Sequence, residues 1–378
     1  MRFLLGGFAA VLLLSVSGFG CSKPPDQPVA NLAPPTPTPP PPTPTLAPPT
    51  PTRRQTLTTS PDLVVRSVKL PEDDAPHPET LTEWWYYNGH LGVGEELRFG
   101  FHYVTFVVRV PGFPAARIAH FAITDLAGGI HQTGQRAEVG KSPSTAPGRF
   151  EFDHRGWIMR GSGGDDHLAA TTTDYSVRLD LSEGRPPVLH GGTGLLDVTT
   201  AGQNSYYYSR TRLNVTGQVS TGDRVLDVTG QAWFDHQWGN FTALSLGWDW
   251  FALQLDGGSD AMLYRIRDLT TSEEFDYGTI VDPSGRVESL AGSDFQITPL
   301  STWTSPVTGI SYPSGWRVQI PARGLDLEAR PRVVASEFDA RATTLNVYWE
   351  GLVQLQGSHT GVGFVELAGY GMPAPAAR

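Results

Sequence analysis

Only one of the 378 residues is a cysteine, Cys21. A single thiol excludes an internal disulfide framework and the Cys-rich forms of a structural zinc site. Positive charge is also in short supply. The 28 Lys and Arg residues face 38 Asp and Glu, the net charge is −10, and no basic stripe is present, so nucleic acid is not an expected partner. Several catalytic signatures are missing. No serine stands in a Gly-x-Ser-x-Gly turn, and the ten histidines show no HExxH or comparable ligand spacing, so no metal site is expected. The turn Gly161-Ser162-Gly163-Gly164-Asp165 lacks the lysine and the helix of a phosphate-cradling loop. Sustained helical periodicity is absent, which argues against a bundle or a doubly wound sheet.

What is present begins at the N-terminus. Arg2, the apolar run Phe3 to Val16 and small residues up to Cys21 read as a secretory signal over residues 1–21, too short for a comfortable membrane span. Cys21 at the end of that run resembles the lipidated first residue of a bacterial lipoprotein. The expectation is an exported cell-envelope protein, at the outer face of the cytoplasmic membrane or in the periplasm, held to the membrane by an N-terminal lipid. Ordinary secretion with cleavage nearby is the alternative. Residues 22–62 are Pro/Thr-rich, as in Pro34-Pro35-Thr36-Pro37-Thr38-Pro39-Pro40-Pro41-Pro42. Proline fixes φ and removes a donor, so this segment reads as a disordered polyproline-II stalk of about 3 Å per residue, on the order of 100 Å in all.

The remainder, about 310 residues, exceeds one typical domain. Strand-like alternation recurs at Leu97 to Val108, Tyr175 to Leu181, Leu226 to Gly230, Met262 to Arg267 and Leu345 to Glu350. Turn residues punctuate it, as in Asp256-Gly257-Gly258, Asp282-Pro283-Ser284-Gly285 and Ser220-Thr221-Gly222-Asp223. An all-β chain of antiparallel barrels or sandwiches is expected. A break among the turn residues from Gly217 to Gly230 suggests two domains, 63–225 and 226–372. Two aromatic boxes carry polar residues: Glu83-Trp84-Trp85-Tyr86-Tyr87-Asn88-Gly89-His90-Leu91, and Trp233-Phe234-Asp235-His236-Gln237-Trp238-Gly239, the latter followed by Gly247-Trp248-Asp249-Trp250-Phe251. Acidic and imidazole groups between aromatics would be desolvated, which shifts their pKa values toward useful chemistry. The boxes lie about 150 residues apart, one domain length, so each half is expected to contribute one.

The ordered set Glu83-Trp84-Trp85-Tyr86, Ala119-His120-Phe121-Ala122-Ile123-Thr124-Asp125, Tyr207-Tyr208-Ser209-Arg210, the Trp233 and Gly247 boxes, Tyr312-Pro313-Ser314-Gly315-Trp316, Tyr348-Trp349-Glu350-Gly351 and Val365-Glu366-Leu367-Ala368-Gly369-Tyr370 resembles the AttH-like secreted proteins related to carotenoid 1,2-hydratase (hydroxyneurosporene synthase). The resemblance covers nearly all of the body. It implies two lipocalin-like antiparallel β-barrels packed together. Its carotenoid branch implies addition of water across a terminal double bond without any cofactor. Gln237 departs from the Glu or other polar residue usual there, and Ala335-Ser336-Glu337-Phe338 departs from an expected acidic stretch.

Hydrating an isolated alkene requires a proton donor strong enough to form a carbocation, then water. A carboxylic acid kept protonated by an apolar site would serve, with aromatic faces stabilising the cation by about 2 kcal/mol or more. Asp235 is the expected acid, as in the hydratase branch, with His236 beside it positioning water. Glu83, Trp84, Tyr86, His90, His120, Tyr208, Arg210, Trp238 and Trp248 are the expected ligand-binding residues. Asp249 alternates with two tryptophans and should face away from them. Tyr348-Trp349-Glu350 reads as the end of a core strand. The site is expected in a pocket shared by the two domains. The function indicated is binding of an apolar polyene or terpenoid-like molecule by a monomer, with hydration or isomerisation of a double bond. The alternative is a non-catalytic carrier or sensor.

Overall fold

The computed structural model describes residues 66–140, 146–197 and 204–371. The expected signal sequence, Cys21 and the Pro/Thr-rich stretch lie outside the described residues. No α-helix occurs among the described residues, which form twenty-two strands joined by turns and a few short 3-10 segments.

The first sheet contains β1 (Thr82–Val93), β2 (Glu96–Val108), β3 (Ala116–Asp125), β4 (Ile130–Val139), β5 (Phe150–Asp153), β6 (Ile158–Ser162), β7 (Asp165–Thr171), β8 (Tyr175–Glu183), β9 (Val188–Leu189), β10 (Leu195–Asp197), β11 (Asn204–Thr221) and β12 (Arg224–Gly239). Their order is β4-β3-β2-β1-β12-β11-β8-β7-β6-β5, with β9 and β10 also on β11. The second sheet contains β13 (Leu246–Leu255), β14 (Asp260–Asp268), β15 (Glu274–Val281), β16 (Val287–Ala291), β17 (Gln296–Thr304), β18 (Ser311–Ile320), β19 (Leu325–Pro331), β20 (Glu337–Ala340), β21 (Asn346–Gly357) and β22 (Gly361–Ala368). Their order is β16-β15-β14-β13-β22-β21-β19-β18-β17, with β20 on β21. The pairing is antiparallel throughout, and the two sheets curl into half-barrels of the lipocalin-like kind. In each, the first strand pairs with the last: β1 with β12, and β13 with β22.

The alternation read from the sequence falls on these strands, two of the turn clusters fall between them, and Ser220-Thr221-Gly222-Asp223 spans the end of β11 and its turn into β12. Period-2 alternation sends successive side chains to opposite faces. On β1, Trp85 and Tyr87 enter the core enclosed by the first sheet, with Phe99, Phe101, Tyr103 and Phe121. The same logic builds a second core around Phe251, Trp316 and Trp349. The opposite faces meet in a third cluster that includes Tyr86, Val104, Trp233, Trp250, Leu352 and Phe364. Fully burying one such aromatic contributes about 1.5–3 kcal/mol. Gly100 on β2 permits the close approach of the sheets, because a Cβ there would stand 3.2 Å from Leu352 Cβ and 3.4 Å from the Phe364 ring.

Two expectations about organisation are corrected. The expected break at 225/226 falls next to the turn between β11 and β12, which pair over most of their length in one sheet. The passage from one sheet to the other lies at residues 240–245. Ser220-Thr221-Gly222-Asp223 is therefore a hairpin turn and not a linker. The two boxes also do not belong one to each half. Glu83 to Leu91 pairs directly with Gly230 to Trp238 inside the first sheet, and only the Gly247 to Phe251 segment comes from the second.

Candidate active site between the two sheets

The meeting faces enclose a cavity of about 60 Å³. Trp84 and Tyr86 reach it from β1, Val104 and Phe106 from β2, Tyr207 from β11, and Asp235 and Gln237 from β12. From the other side come Trp248 and Trp250 of β13, Tyr264 of β14, Tyr348 and Glu350 of β21, Glu366 of β22, and Ala243 of the connecting segment. Trp84, Phe106, Ala243, Trp248 and Glu366 are partly exposed and form the mouth; Asp235, Tyr207, Trp250 and Glu350 are buried at the floor.

Three carboxyl groups face this one aromatic-walled space. Asp235 Oδ1 accepts hydrogen bonds from Ser209 Oγ at 2.5 Å and Trp233 Nε1 at 2.6 Å, and Oδ2 accepts from the Tyr207 hydroxyl at 2.6 Å. Trp250 Nε1 in turn donates to the Tyr207 oxygen at 3.1 Å. Burial pushes the Asp235 carboxyl up to about 7, outweighing these three donors. No cation contacts it among the described residues, and neutral donors restore less than a full counter-charge would. Glu350 and Glu366 are register partners on β21 and β22, so their side chains leave the same face side by side. Burial is the main cause that raises both; the field of Glu366 adds to it at Glu350 and that of Asp235 at Glu366, so that Glu366 is pushed to about 7 and Glu350 well above the usual range. The Tyr86 hydroxyl donates to Glu350 Oε1 at 2.5 Å and accepts from Asn88 Nδ2 at 3.0 Å. Glu366 accepts a hydrogen bond from Trp248.

The cavity collects Trp84, Tyr86, Asp235 and Trp248 of the residues expected from sequence. His236 is not beside Asp235 in space. As the next residue along β12 it points to the opposite face, into the first barrel, where its Nε2 lies 3.1 Å from Glu83 Oε1. Glu83, Tyr208, Arg210 and Trp238 point into the same interior for the same reason and do not line the cavity. Glu83 is bound there by His77 Nδ1 at 2.8 Å and Arg109 at 3.1 Å. Trp238 stacks on the His77 ring at 4.0 Å. The Tyr208 hydroxyl donates to Asp74, and Arg210 lies 3.4 Å from Asp74. Burial alone would raise Glu83, yet hydrogen bonds from His236 and His77 hold it at about 2. The ligand-type atoms of His77, Glu83 and His236 do converge within 4.8 Å of one another. Each Glu83 oxygen is already bonded, one of them to a guanidinium, while His236 Nδ1 has no hydrogen-bond partner among the described residues.

Two further histidines fall outside the lining. His120 on β3 sits behind the wall, 3.2 Å from the Tyr348 hydroxyl and 2.8 Å from Thr343 Oγ1, and burial pulls its pKa down to about 3. His90 lies further along β1, where burial, with the field of Arg212, lowers it to about 4. Asp249 faces away from the cavity, to Arg267 at 2.9 Å and the Tyr370 hydroxyl at 2.7 Å.

Glu350, Glu366, Tyr207, Trp250, Tyr264 and Tyr348 line the cavity without having been assigned to it from sequence. Of Tyr348-Trp349-Glu350, only Trp349 enters the core of the second sheet; its two neighbours face the cavity. A signal for Glu366 was present: it is the only charged residue in the strand Gly361 to Ala368. Gln237 places an amide in the cavity where the resemblance leads one to look for a carboxylate, and the second sheet brings two.

A family model described as AttH-like matches residues 63–370. Among solved structures, a crystal structure of AttH from Nitrosomonas europaea is similar, with a TM-score of 0.73 and 29% identity, covering 82% of this chain and 100% of that one. Kievitone hydratase from Nectria haematococca is similar with a TM-score of 0.60 and 17% identity, over 83% of this chain and 97% of that one. CghA with Sch210972 gives 0.52 and 11%, over 76% and 88%. At these last two identities the likeness is one of fold. No curated protein matches the chain by sequence.

Proposed function

The chain belongs to the AttH-like family, and on that premise we propose that it binds an apolar small molecule at the cavity between its sheets and protonates a carbon–carbon double bond with Asp235. The observation that carries this reading is a buried carboxyl near 7 facing the same aromatic space as two further raised carboxyls. In the acid form the proton sits on Oδ2, the oxygen with a single hydrogen bond, and the Tyr207 hydroxyl turns to accept it. Transfer to the alkene breaks the O–H bond, forms a C–H bond and leaves a carbocation. The faces of Trp84, Trp248, Trp250 and Tyr86 stabilise that cation, by about 2 kcal/mol or more once water is excluded. Addition of water followed by loss of its proton to the Asp235 carboxylate, directly or through Glu366, gives the alcohol; return of an adjacent carbon-bound proton to Asp235 gives the shifted alkene. Neither route changes the oxidation state overall, so neither calls for a redox cofactor.

A cavity of about 60 Å³ has room for a few waters or one end of a ligand. The substrate class indicated is therefore a long apolar molecule whose reacting end reaches the floor, with its remainder passing the mouth at Trp84, Phe106 and Trp248. A second reading is favoured by the three donors already on Asp235: a carrier in which this carboxyl is a satisfied acceptor. The residues from Arg2 to Cys21 support the further proposal that the protein is exported, lipidated at Cys21 and tethered to the membrane, and metabolic labelling with a radioactive fatty acid, lost in Cys21→Ser, tests the anchor.

The deciding experiment is mass spectrometry of apolar molecules that co-purify with the wild type and with Asp235→Asn. For an enzyme, the mutant retains the unreacted alkene, and the hydrated or isomerised form accompanies the wild type alone. Turnover of the identified ligand should fall about 10²–10⁴-fold in Asp235→Asn. The same unaltered molecule bound to both proteins would establish the carrier.

A further inference from the structure

Asp235 is buried at the floor of the cavity, away from bulk water, yet its Oδ1 is the end of a continuous hydrogen-bonded chain that leads out through the second sheet. Ser209 Oγ donates to Oδ1 at 2.5 Å. Behind it, Ser209 Oγ lies 2.7 Å from His190 Nε2, and His190 Nδ1 lies 2.8 Å from Thr279 Oγ1. Thr279 is 3.0 Å from the Tyr277 hydroxyl, which lies 3.4 Å from Ser289 Oγ. Ser209, His190 and Thr279 are buried, and Ser289 is exposed.

The polarity of this chain follows from its ends. An ionised Asp235 only accepts, so the Ser209 proton points at it, and Ser209 must itself accept from His190 Nε2–H. Burial pulls the His190 pKa down to about 3, so the imidazole is neutral and its Nδ1 is left as an acceptor. Thr279 fills that acceptor and takes its own hydrogen bond from Tyr277. The Tyr277 oxygen accepts the Gly191 peptide N–H at 2.7 Å, which leaves its proton for Thr279. Gly191 has φ 66°, a conformation open to glycine at no steric cost, and this aims its N–H at Tyr277. Every donor from Ser289 inward therefore points toward Asp235.

We propose that Ser289, Tyr277, Thr279, His190 and Ser209 form a proton relay that exchanges the Asp235 proton with water outside the protein while a ligand fills the cavity. The proposal rests on Asp235 acting as the acid of the cavity. One proton enters from water at Ser289 and one arrives on Asp235. Between them each O–H or N–H bond breaks as the next forms, and no electrons change hands. His190 passes from its Nε2–H to its Nδ1–H tautomer, and transit in the reverse direction restores it. The arriving proton lands on Oδ1, the oxygen turned from the one that serves the ligand, and a half-turn of the carboxyl about Cβ–Cγ presents it to the cavity. The residues are positioning groups, since none but Asp235 meets the ligand.

The test uses infrared spectroscopy of the whole chain below about pH 6, where a carboxyl near 7 is protonated. The carbonyl stretch lost in Asp235→Asn identifies this acid, and its shift after rapid mixing into heavy water reports proton exchange. Exchange should slow by about tenfold or more in Ser209→Ala and in Thr279→Val, which removes one hydroxyl at nearly constant volume. Thr279→Ser, which keeps the hydroxyl, should exchange like the wild type. A purely structural role would leave the rate alone. Equal rates in wild type, Ser209→Ala and Thr279→Val would overturn the relay and leave the acid in place. Absence of the Asp235 band in the wild type would overturn the acid, and the relay with it.

Discussion

Glu83 and Asp235 stand on adjacent paired strands, both are buried, and their environments drive them in opposite directions. Glu83 faces the interior of the first barrel, where His77, His236 and Arg109 gather on it and hold it at about 2. Asp235 faces the space between the sheets, where three neutral donors leave burial in control and its carboxyl rises to about 7. The kind of partner separates them: imidazoles and a guanidinium on Glu83, hydroxyls and an indole N–H on Asp235. A carboxylate with cationic partners is a structural anion, whereas one with neutral donors only is a proton donor near neutral pH.

The contrast breaks most severely in Glu83→Ala. Removing the anion takes the counter-charge from Arg109 and one of two carboxylates from His77, the other being Asp73, and unfolding free energy from urea titration should fall by about 3–5 kcal/mol. Asp235→Asn, which swaps one neutral hydrogen-bonding group for another, should lose much less below neutral pH.

The pH dependence sharpens the same contrast. The folded value of Asp235, about 7, lies above its ordinary 3.8, so its contribution is fully present below 3.8 and is lost as pH rises toward 7. The folded value of Glu83, about 2, lies below its ordinary 4.5, so its contribution is present above 4.5 and is lost as pH falls toward 2. Buried neutral histidines such as His120 and His190, each held at about 3, lose stability as pH falls from their ordinary 6.5 and bend the whole curve. The difference between wild type and Asp235→Asn isolates one group. That difference should change by about 1.4 kcal/mol per pH unit between 4 and 7, against the wild type as pH rises, and be flat above. A difference curve flat from 4 to 7 would mean that Asp235 is ionised throughout.

Trp248→Ala gives the smallest expected effect. It opens the mouth and removes a hydrogen bond to Glu366, while leaving the Glu83 cluster untouched. Ligand affinity by fluorescence titration should weaken by about 2 kcal/mol, roughly thirtyfold, with little change in the unfolding midpoint.

The fold was legible because strand alternation and turn residues are local signals, and because the ordered aromatic motifs span the body. Asp235 was legible for a local reason too, being an acid set among aromatics in one strand. His236 and Glu83 were assigned to the wrong face because adjacency in sequence was read as adjacency in space, although the alternation applied to Asp249 applies equally to them. Glu350 and Glu366 were missed for a different reason. Their partners in the cavity lie more than 100 residues away, and a glutamate following Tyr348 and Trp349 reads as the polar end of a core strand until the opposite sheet is in view. His190 gave no local signal, since its role depends on Ser209 and Thr279 from different sheets.

In each half the first strand lies beside the last, β1 on β12 and β13 on β22. This arrangement sets a schedule for synthesis. Thr82 must wait for Gly239 to leave the ribosome, and Leu255 for Gly361, before either central pair can close. Until then β1, with its two tryptophans and two tyrosines, is an unpaired apolar edge of the sort that aggregates, so a nascent chain of this protein should be a client of holding chaperones for most of its translation.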